Sequence, residues 1–380
     1  MGRRANPFKP STGATPPLLV GRQPLLDDLH DGLADGPGAP ARITIFTGAR
    51  GVGKTVMLSE ADDVALQHGW LHIDETATTG LVSRLDEHVT YALEQEDPRP
   101  RRRVTGIALP GNIGITATLT PELSVGLRRK IGALLDRLAE RDPNSGLMIT
   151  VDEVQSGIAD LREVAVITQH LIREDRNVAL VLAGLPSAVS DLLRNDVDER
   201  VMTFLRRADK HVLVDVPVAE VQDAFDETIH AEGRTIDGDA LAAAAEATFG
   251  YPFLIQLVGY HMWRASDSDN ITLADVRVGI DAARRRMGSL VHETALADLS
   301  DLDKTFLAAM SRDDGASRMK DIRHRMGDVS PQYANTYRER LLAAQMITQV
   351  SFGKVDFALP YLRTYLREHR ASYGLLPDGD

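Results

Sequence analysis

Along the first half of the chain, short apolar runs alternate with segments in which apolar residues recur every three or four positions. Arg42–Thr47, Trp70–Asp74, Leu147–Val151, Val178–Ala183 and His211–Asp215 have strand length and are bounded by turn residues. Helical spacing predicts Gln23–Leu33, Lys54–His68, Ser83–Gln95, a helix carrying Leu127, Ile131, Leu134, Leu135 and Leu138, and Ala159–Arg173. Strands alternating with helices predict an α/β domain whose mostly parallel sheet is covered on both faces. From Pro217 to about Leu296 the pattern is helical, with no strand candidate. From Leu299 to about Arg370 it predicts three short helices and a terminal β-pair, Met346–Val350 and Lys354–Ala358, joined by Ser351-Phe-Gly.

Proline and glycine set the boundaries. Residues 1–17 hold four prolines and read as an extended arm. Residues 97–103 (Asp-Pro-Arg-Pro-Arg-Arg-Arg) read as a solvated linker, with nucleic-acid contact as the rival reading. After it, 104–119 centres on Pro110-Gly-Asn and reads as a hairpin inserted between core elements. The expected organisation is an arm at 1–17, an α/β core at 18–216, a helical domain at 217–297, a C-terminal module at 298–370 and a loose tail at 371–380.

The first β-run opens into a phosphate cradle. Gly48-Ala49-Arg50-Gly51-Val52-Gly53-Lys54-Thr55, followed by Val56, fits G-x-x-x-x-G-K-[ST] at every fixed position, with a strand before it and a helix after. Glycines let backbone N–H groups turn around a phosphate at the positive end of a helix. Lys54 supplies a mobile charge to the β- and γ-phosphates, and the Thr55 hydroxyl suits Mg²⁺. A chance glycine turn would lack both flanks. The metal also needs an acid, and the strand Leu147–Val151 ends in Asp152-Glu153. Asp152 is the candidate for the Mg²⁺ shell and Glu153 for the base that polarises the attacking water. Glu60, Asp62 and Asp63 read as a solvated helix face.

Composition narrows the chemistry. The chain has no cysteine, which removes disulfides, thiolate zinc sites and cysteine nucleophiles. Its eleven histidines show no metal spacing, and no Gly-x-Ser-x-Gly is present. No run approaches the ~20 apolar residues of a membrane helix, and the start of the chain lacks a secretory signal, so a cytoplasmic location is expected. The net charge is −12. Residues 301–370 nevertheless carry twelve basic against nine acidic side chains, the sign a nucleic-acid module needs.

These motifs together resemble the AAA+ ATPases, in particular the branch of origin-recognition initiators and the related signal-transducing ATPases of archaeal and bacterial type. Leu18-Leu-Val20-Gly21-Arg22 resembles the segment beside the adenine. Val178–Ser187 resembles the fourth core strand running into sensor 1, with Ser187 the nearest polar residue. Phe249–Gln256, with Tyr251 and Pro252, resembles the nucleotide-touching Gly-x-Pro motif of the helical lid. Leu299–Tyr365 resembles the winged helix that follows such lids. Two departures stand out: Ser187 replaces the usual Asn or Thr, and Tyr251 and Pro252 occupy the stretch where many lids carry an arginine. The missing charge implies slow intrinsic hydrolysis. By resemblance Arg206 or Arg207 is the arginine finger reaching a neighbour's nucleotide; the rival reading is two cations at a helix end.

Within the C-terminal module, Ser317–Met326 and Gln332–Ala344 read as a helix-turn-helix, with Ser330 capping and Pro331 at the first helical position. Gln332, Asn335, Arg338 and Arg340 suit base contacts, and Lys354 sits near the wing tip. The leading expectation is an ATP- and Mg²⁺-dependent AAA+ switch that contacts double-stranded DNA through the winged helix, alone or as a homo-oligomer. The alternative is a signalling or defence regulator that gates a protein partner without touching DNA. A nucleotide kinase shares the phosphate loop, but the Asp-Glu pair suits NTP hydrolysis better.

Overall fold

The computed structural model describes residues 4–11, 19–96, 126–154, 158–194 and 204–369. The arginine run at 99–103, the expected hairpin at 104–119 and the tail at 371–380 lie outside them. The chain divides into two compact units, one of Pro24–Thr47 and Met57–Val212, the other of Met1–Gln23, Gly48–Val56 and Leu213–Asp380. The phosphate-loop segment therefore groups with the C-terminal half of the chain, a partition the linear pattern does not suggest.

The first unit holds a five-stranded sheet. Its strands are β1 (Ile43–Gly48), β2 (Leu71–Thr76), β3 (Leu147–Asp152), β4 (Val178–Gly184) and β5 (Asp209–Leu213), in the spatial order β2-β3-β4-β1-β5. The β1–β4, β4–β3 and β3–β2 pairs are parallel. Both β1 and β4 are buried at every position and β3 at all but its last, as expected of central strands covered on two faces. The edge strands β2 and β5 are only partly buried.

The helices of this unit are α1 (Gln23–Ala34), α2 (Lys54–Gln67), α3 (Leu81–Glu96), α4 (Leu127–Arg141), α5 (Ile158–Arg173) and α6 (Pro186–Arg194). Leu85, Leu134, Val164 and Ile149 share one apolar core. Arg42 is 1% exposed, and its guanidinium donates to the Gly32 and Leu33 carbonyls at 3.0 and 2.9 Å, closing the C-terminal end of α1. Asp62 corrects the sequence reading. It does not belong to a solvated face: it accepts from the Thr150 hydroxyl of β3 at 3.2 Å. Burial raises its carboxyl to about 6, opposed by His72 and by that hydrogen bond.

The second unit begins with the extended arm. Phe8 is 3% exposed and packs edge-on against Phe225 at 5.7 Å, while the Asn6 amide donates to the Tyr260 carbonyl. The arm packs on α7 (Val218–Ala231) and α9 (Pro252–Ala265), and α8 (Gly238–Glu246) and α10 (Leu273–Met287) complete the helical set. A short parallel pair, β6 (Thr235–Ile236) and β7 (Asn270–Ile271), joins their loops where no strand was expected. Two-residue strands carry no periodicity to detect.

After a π-turn at Gly288–His292 come α11 (Glu293–Ala297), α12 (Asp301–Met310), β8 (Ser317–Arg318), α13 (Met319–Arg325), α14 (Pro331–Ala343), β9 (Ile347–Ser351), β10 (Lys354–Phe357) and α15 (Leu362–Glu368). The strands form an antiparallel sheet in the order β8-β10-β9. This module has one more strand and one more helix than expected. A single apolar core runs from Phe8 and Phe225 through Leu254 to Phe306, Leu341 and Leu366.

His292 lies in that core, 1% exposed, with Nε2–H donating to the Pro360 carbonyl at 2.9 Å. Burial lowers its imidazole from 6.5 to about 4, only partly offset by that bond. The unfolded chain therefore takes up the proton first. The neutral ring's contribution is complete above about pH 6.5 and is lost as pH falls towards 4, about 3 kcal/mol over the whole range. Melting at pH 7 and pH 5 should show the wild type losing more stability than His292→Gln; equal losses would remove His292 as the cause.

Candidate nucleotide site

The phosphate loop is built by the end of β1 and the start of α2. Lys54 opens the helix, and its ammonium donates to the Gly48 carbonyl at 2.9 Å and the Ala49 carbonyl at 2.7 Å. The next carbonyl, that of Arg50, accepts the Tyr251 hydroxyl at 2.7 Å. Gly51 adopts φ +76°, and a Cβ there would lie 2.0 Å from the Tyr251 oxygen, so only glycine fits. Tyr251 is 2% exposed, and burial pushes its hydroxyl well above the ordinary tyrosine range. It donates at any ordinary pH.

The surrounding segments belong to the same unit. Gly250, at φ +72°, lies so close to the Val216 carbonyl that a Cβ would meet it at 1.9 Å, and the Val216 N–H donates to the Gly250 carbonyl at 2.7 Å. Arg22 donates to the Val214 carbonyl at 2.5 Å. Burial lowers its pKa, with Asp215 and Glu220 opposing. Asp215 is raised by partial burial, with Arg22 opposing. The Arg50 guanidinium reaches the Asp298 carboxylate at 3.3 Å. Val20, Gly21, Arg22, Gly48 to Val56, Tyr251 and Pro252 thus fall in one unit. Sequence reasoning missed Val214, Asp215, Glu220 and Asp298, which lie in no motif. Asp215 and Glu220 carry only the weak signal of an acid just before or within the first turn of α7, and Val214 and Asp298 carry none.

The other candidates stand in the first unit. Asp152 closes β3, and its side chain accepts the Glu153 N–H at 2.7 Å. Glu153 is exposed and takes φ +54°, a left-handed backbone that non-glycine residues adopt at a cost of about 1–3 kcal/mol. The strand turns sharply there, and the Val154 N–H returns to the Ala183 carbonyl at 3.0 Å. Register aligns Phe46 with Ala183 and Val151 with Leu182. Phe46 of β1 and Asp152 of β3 therefore lie at the same, C-terminal end of the strands, two strands apart, or roughly 10 Å. Ser187 lies in the first turn of α6, directly after β4. Arg206 and Arg207 are exposed, and the Arg206 Nε donates to the Leu193 carbonyl at 3.1 Å.

In the C-terminal module, Gln332 and Lys354 are exposed, and Lys354 aligns with Arg318 across β10 and β8. The Asn335 amide donates to Glu339 at 2.6 Å. Arg338 is half-buried. Arg340 pairs at 3.0 Å with Asp303, which is 2% exposed and completes the capping box with Ser300 at the start of α12. Two of the four helix residues expected to read bases are therefore engaged within the module.

A phosphate loop between a strand and a helix defines a P-loop nucleotide-binding domain. Residues 18–183 match the family described as AAA ATPase domain. Residues 289–366 match a domain of unknown function, DUF8462. No curated protein matches the chain. Among solved structures, the Walker-type ATPase PABY2304 of Pyrococcus abyssi is similar over 92% of this chain and 96% of its own, with 16% identity and a TM-score of 0.65. The Aeropyrum pernix ORC2 protein, solved as ADPNP–ADP complexes, is similar over 96% and 98%, with 14% identity and a TM-score of 0.63. At these identities the likeness is one of fold.

Proposed function

We propose that the chain is a cytoplasmic, Mg²⁺-dependent ATPase that works as a nucleotide switch and contacts double-stranded DNA through a C-terminal winged helix. The observation that carries this reading is the phosphate loop. Three successive carbonyls are held by Lys54 and Tyr251, which leaves the intervening amides free to turn towards an anion. Gly51 leaves no room for a side chain beside the Tyr251 bond, and Thr55 and Asp152 offer the hard oxygen donors magnesium prefers. Those two residues would hold the ion, which when bound neutralises charge on the β- and γ-phosphates. Lys54 holds the phosphates, Glu153 polarises the attacking water, and Ser187 stands at the sensor position. Val20, Gly21 and Arg22 line the adenine side with Tyr251 and Pro252. Arg206 or Arg207 acts as a finger towards a second copy of the chain. The order helix, strand, helix, helix, strand, strand at 301–357 supports a winged helix.

The C-terminal surface also supports a second reading, in which the module docks a protein. Arg340 and Asn335 are engaged internally, and Phe352 at the wing tip is fully exposed. A gel-shift salt series separates the two. DNA contact gives binding that weakens with salt, and Gln332→Ala/Lys354→Ala should lower affinity and flatten the slope by about one. These residues are preferred to Arg340, whose loss would remove the cation paired with the buried Asp303. Absence of salt-dependent binding would favour the protein partner.

A further inference from the structure

We propose that Tyr251 is a positioning residue that couples the helical lid to the phosphate loop. Through one buried hydroxyl it sets the Arg50–Gly51 peptide plane and carries the nucleotide state into α9. The inference deepens the nucleotide-site reading and rests on it.

In a trans peptide the carbonyl and the following N–H point in opposite directions. Lys54 takes the carbonyls of Gly48 and Ala49, so the N–H groups of Ala49 and Arg50 face away from its ammonium. Tyr251 takes the carbonyl of Arg50, which turns the Gly51 N–H away from that hydroxyl. The two side chains thus set three consecutive amides, but they are not equivalent. An ammonium that engages a phosphate has fewer protons left for carbonyls. The Tyr251 hydroxyl has no such second task.

The mount for this hydroxyl is rigid. Tyr251 is the N-cap residue of α9 and is followed by Pro252, whose ring fixes φ in the first turn. Its neighbour Gly250 is pressed against the Val216 backbone, and its ring is 2% exposed. A shift of the α9 N-terminus therefore moves the Arg50 carbonyl, and a loop reshaped around phosphates moves α9. Arg50 has a second tether in Asp298, just beyond α11, so the same loop residue is held from two helical elements of this unit.

The test uses the full-length protein with a fluorescent ADP analogue. Tyr251→Phe keeps the ring and removes only the bond. The expected result is a folded protein whose melting temperature without nucleotide is close to wild type. ADP affinity should fall about three- to tenfold with faster release, as for one buried hydrogen bond, and KM for ATP should rise by a larger factor than kcat falls. A folded variant with wild-type affinity and release rate would overturn the proposal. So would a lowered melting temperature with unchanged ADP affinity, which is the signature of packing alone. Hydrogen exchange on the wild type gives a second check independent of the variant: ADP should protect both 49–53 and the first turn of α9, and protection of the loop alone would overturn the coupling. A wild type that binds no ADP would instead sink the nucleotide-site reading itself.

Discussion

Glu153→Gln is expected to slow ATP hydrolysis by about 10²-fold or more while nucleotide stays bound. A positioned general base contributes typically 10²–10⁴-fold, and an amide of the same shape cannot accept the proton. Glu153 is exposed, where water is available, and sits in a left-handed backbone that turns it out of the strand beside Asp152. Strain of this kind persists where the surroundings over-determine it, and here the Val154–Ala183 bond locks the turn. The wild-type baseline is itself expected to be low, about one turnover per second or less at the bottom of the usual enzyme range, as the resemblance of Tyr251 and Pro252 to the lid stretch that often carries an arginine implies. Phosphate release measured beside retention of labelled ATP checks both points. Wild-type turnover in the Gln variant would place the base elsewhere.

Lys54→Ala is expected to weaken ATP binding by at least about 10²-fold. The substitution removes a charge-assisted contact to phosphate. It also frees the Gly48 and Ala49 carbonyls that the ammonium holds, so the loop loses its clamp as well as its charge. Lys54→Arg should rescue only in part, since a planar fork does not replace a compact ammonium. Fluorescent-nucleotide titration, with circular dichroism to confirm folding, measures the loss.

The phosphate loop, the acid-ending strand and the three central strands were legible because each is written locally. A glycine spacing and an unbroken apolar run need no tertiary information. The edge strand β5 was expected two residues late: only Leu213 in it is buried, so its pattern gives little to fix its ends. Asp62 was assigned to water because helical periodicity separates faces but does not say that Thr150 of a strand lies opposite one of them. Arg340 was assigned to DNA because nothing near it announces the buried Asp303 more than thirty positions earlier. The same limit hid the Tyr251–Arg50 bond, which joins residues 201 positions apart. The Gly-x-Pro resemblance placed Tyr251 at the nucleotide without indicating that its hydroxyl holds the loop.

The most direct test of the nucleotide site is a calorimetric titration of the full-length wild type with ATP in magnesium. The expected result is one ATP per chain, competed by ADP and weakened when EDTA removes the ion. A flat titration at millimolar ATP, or heat undiminished in Lys54→Ala, would contradict it.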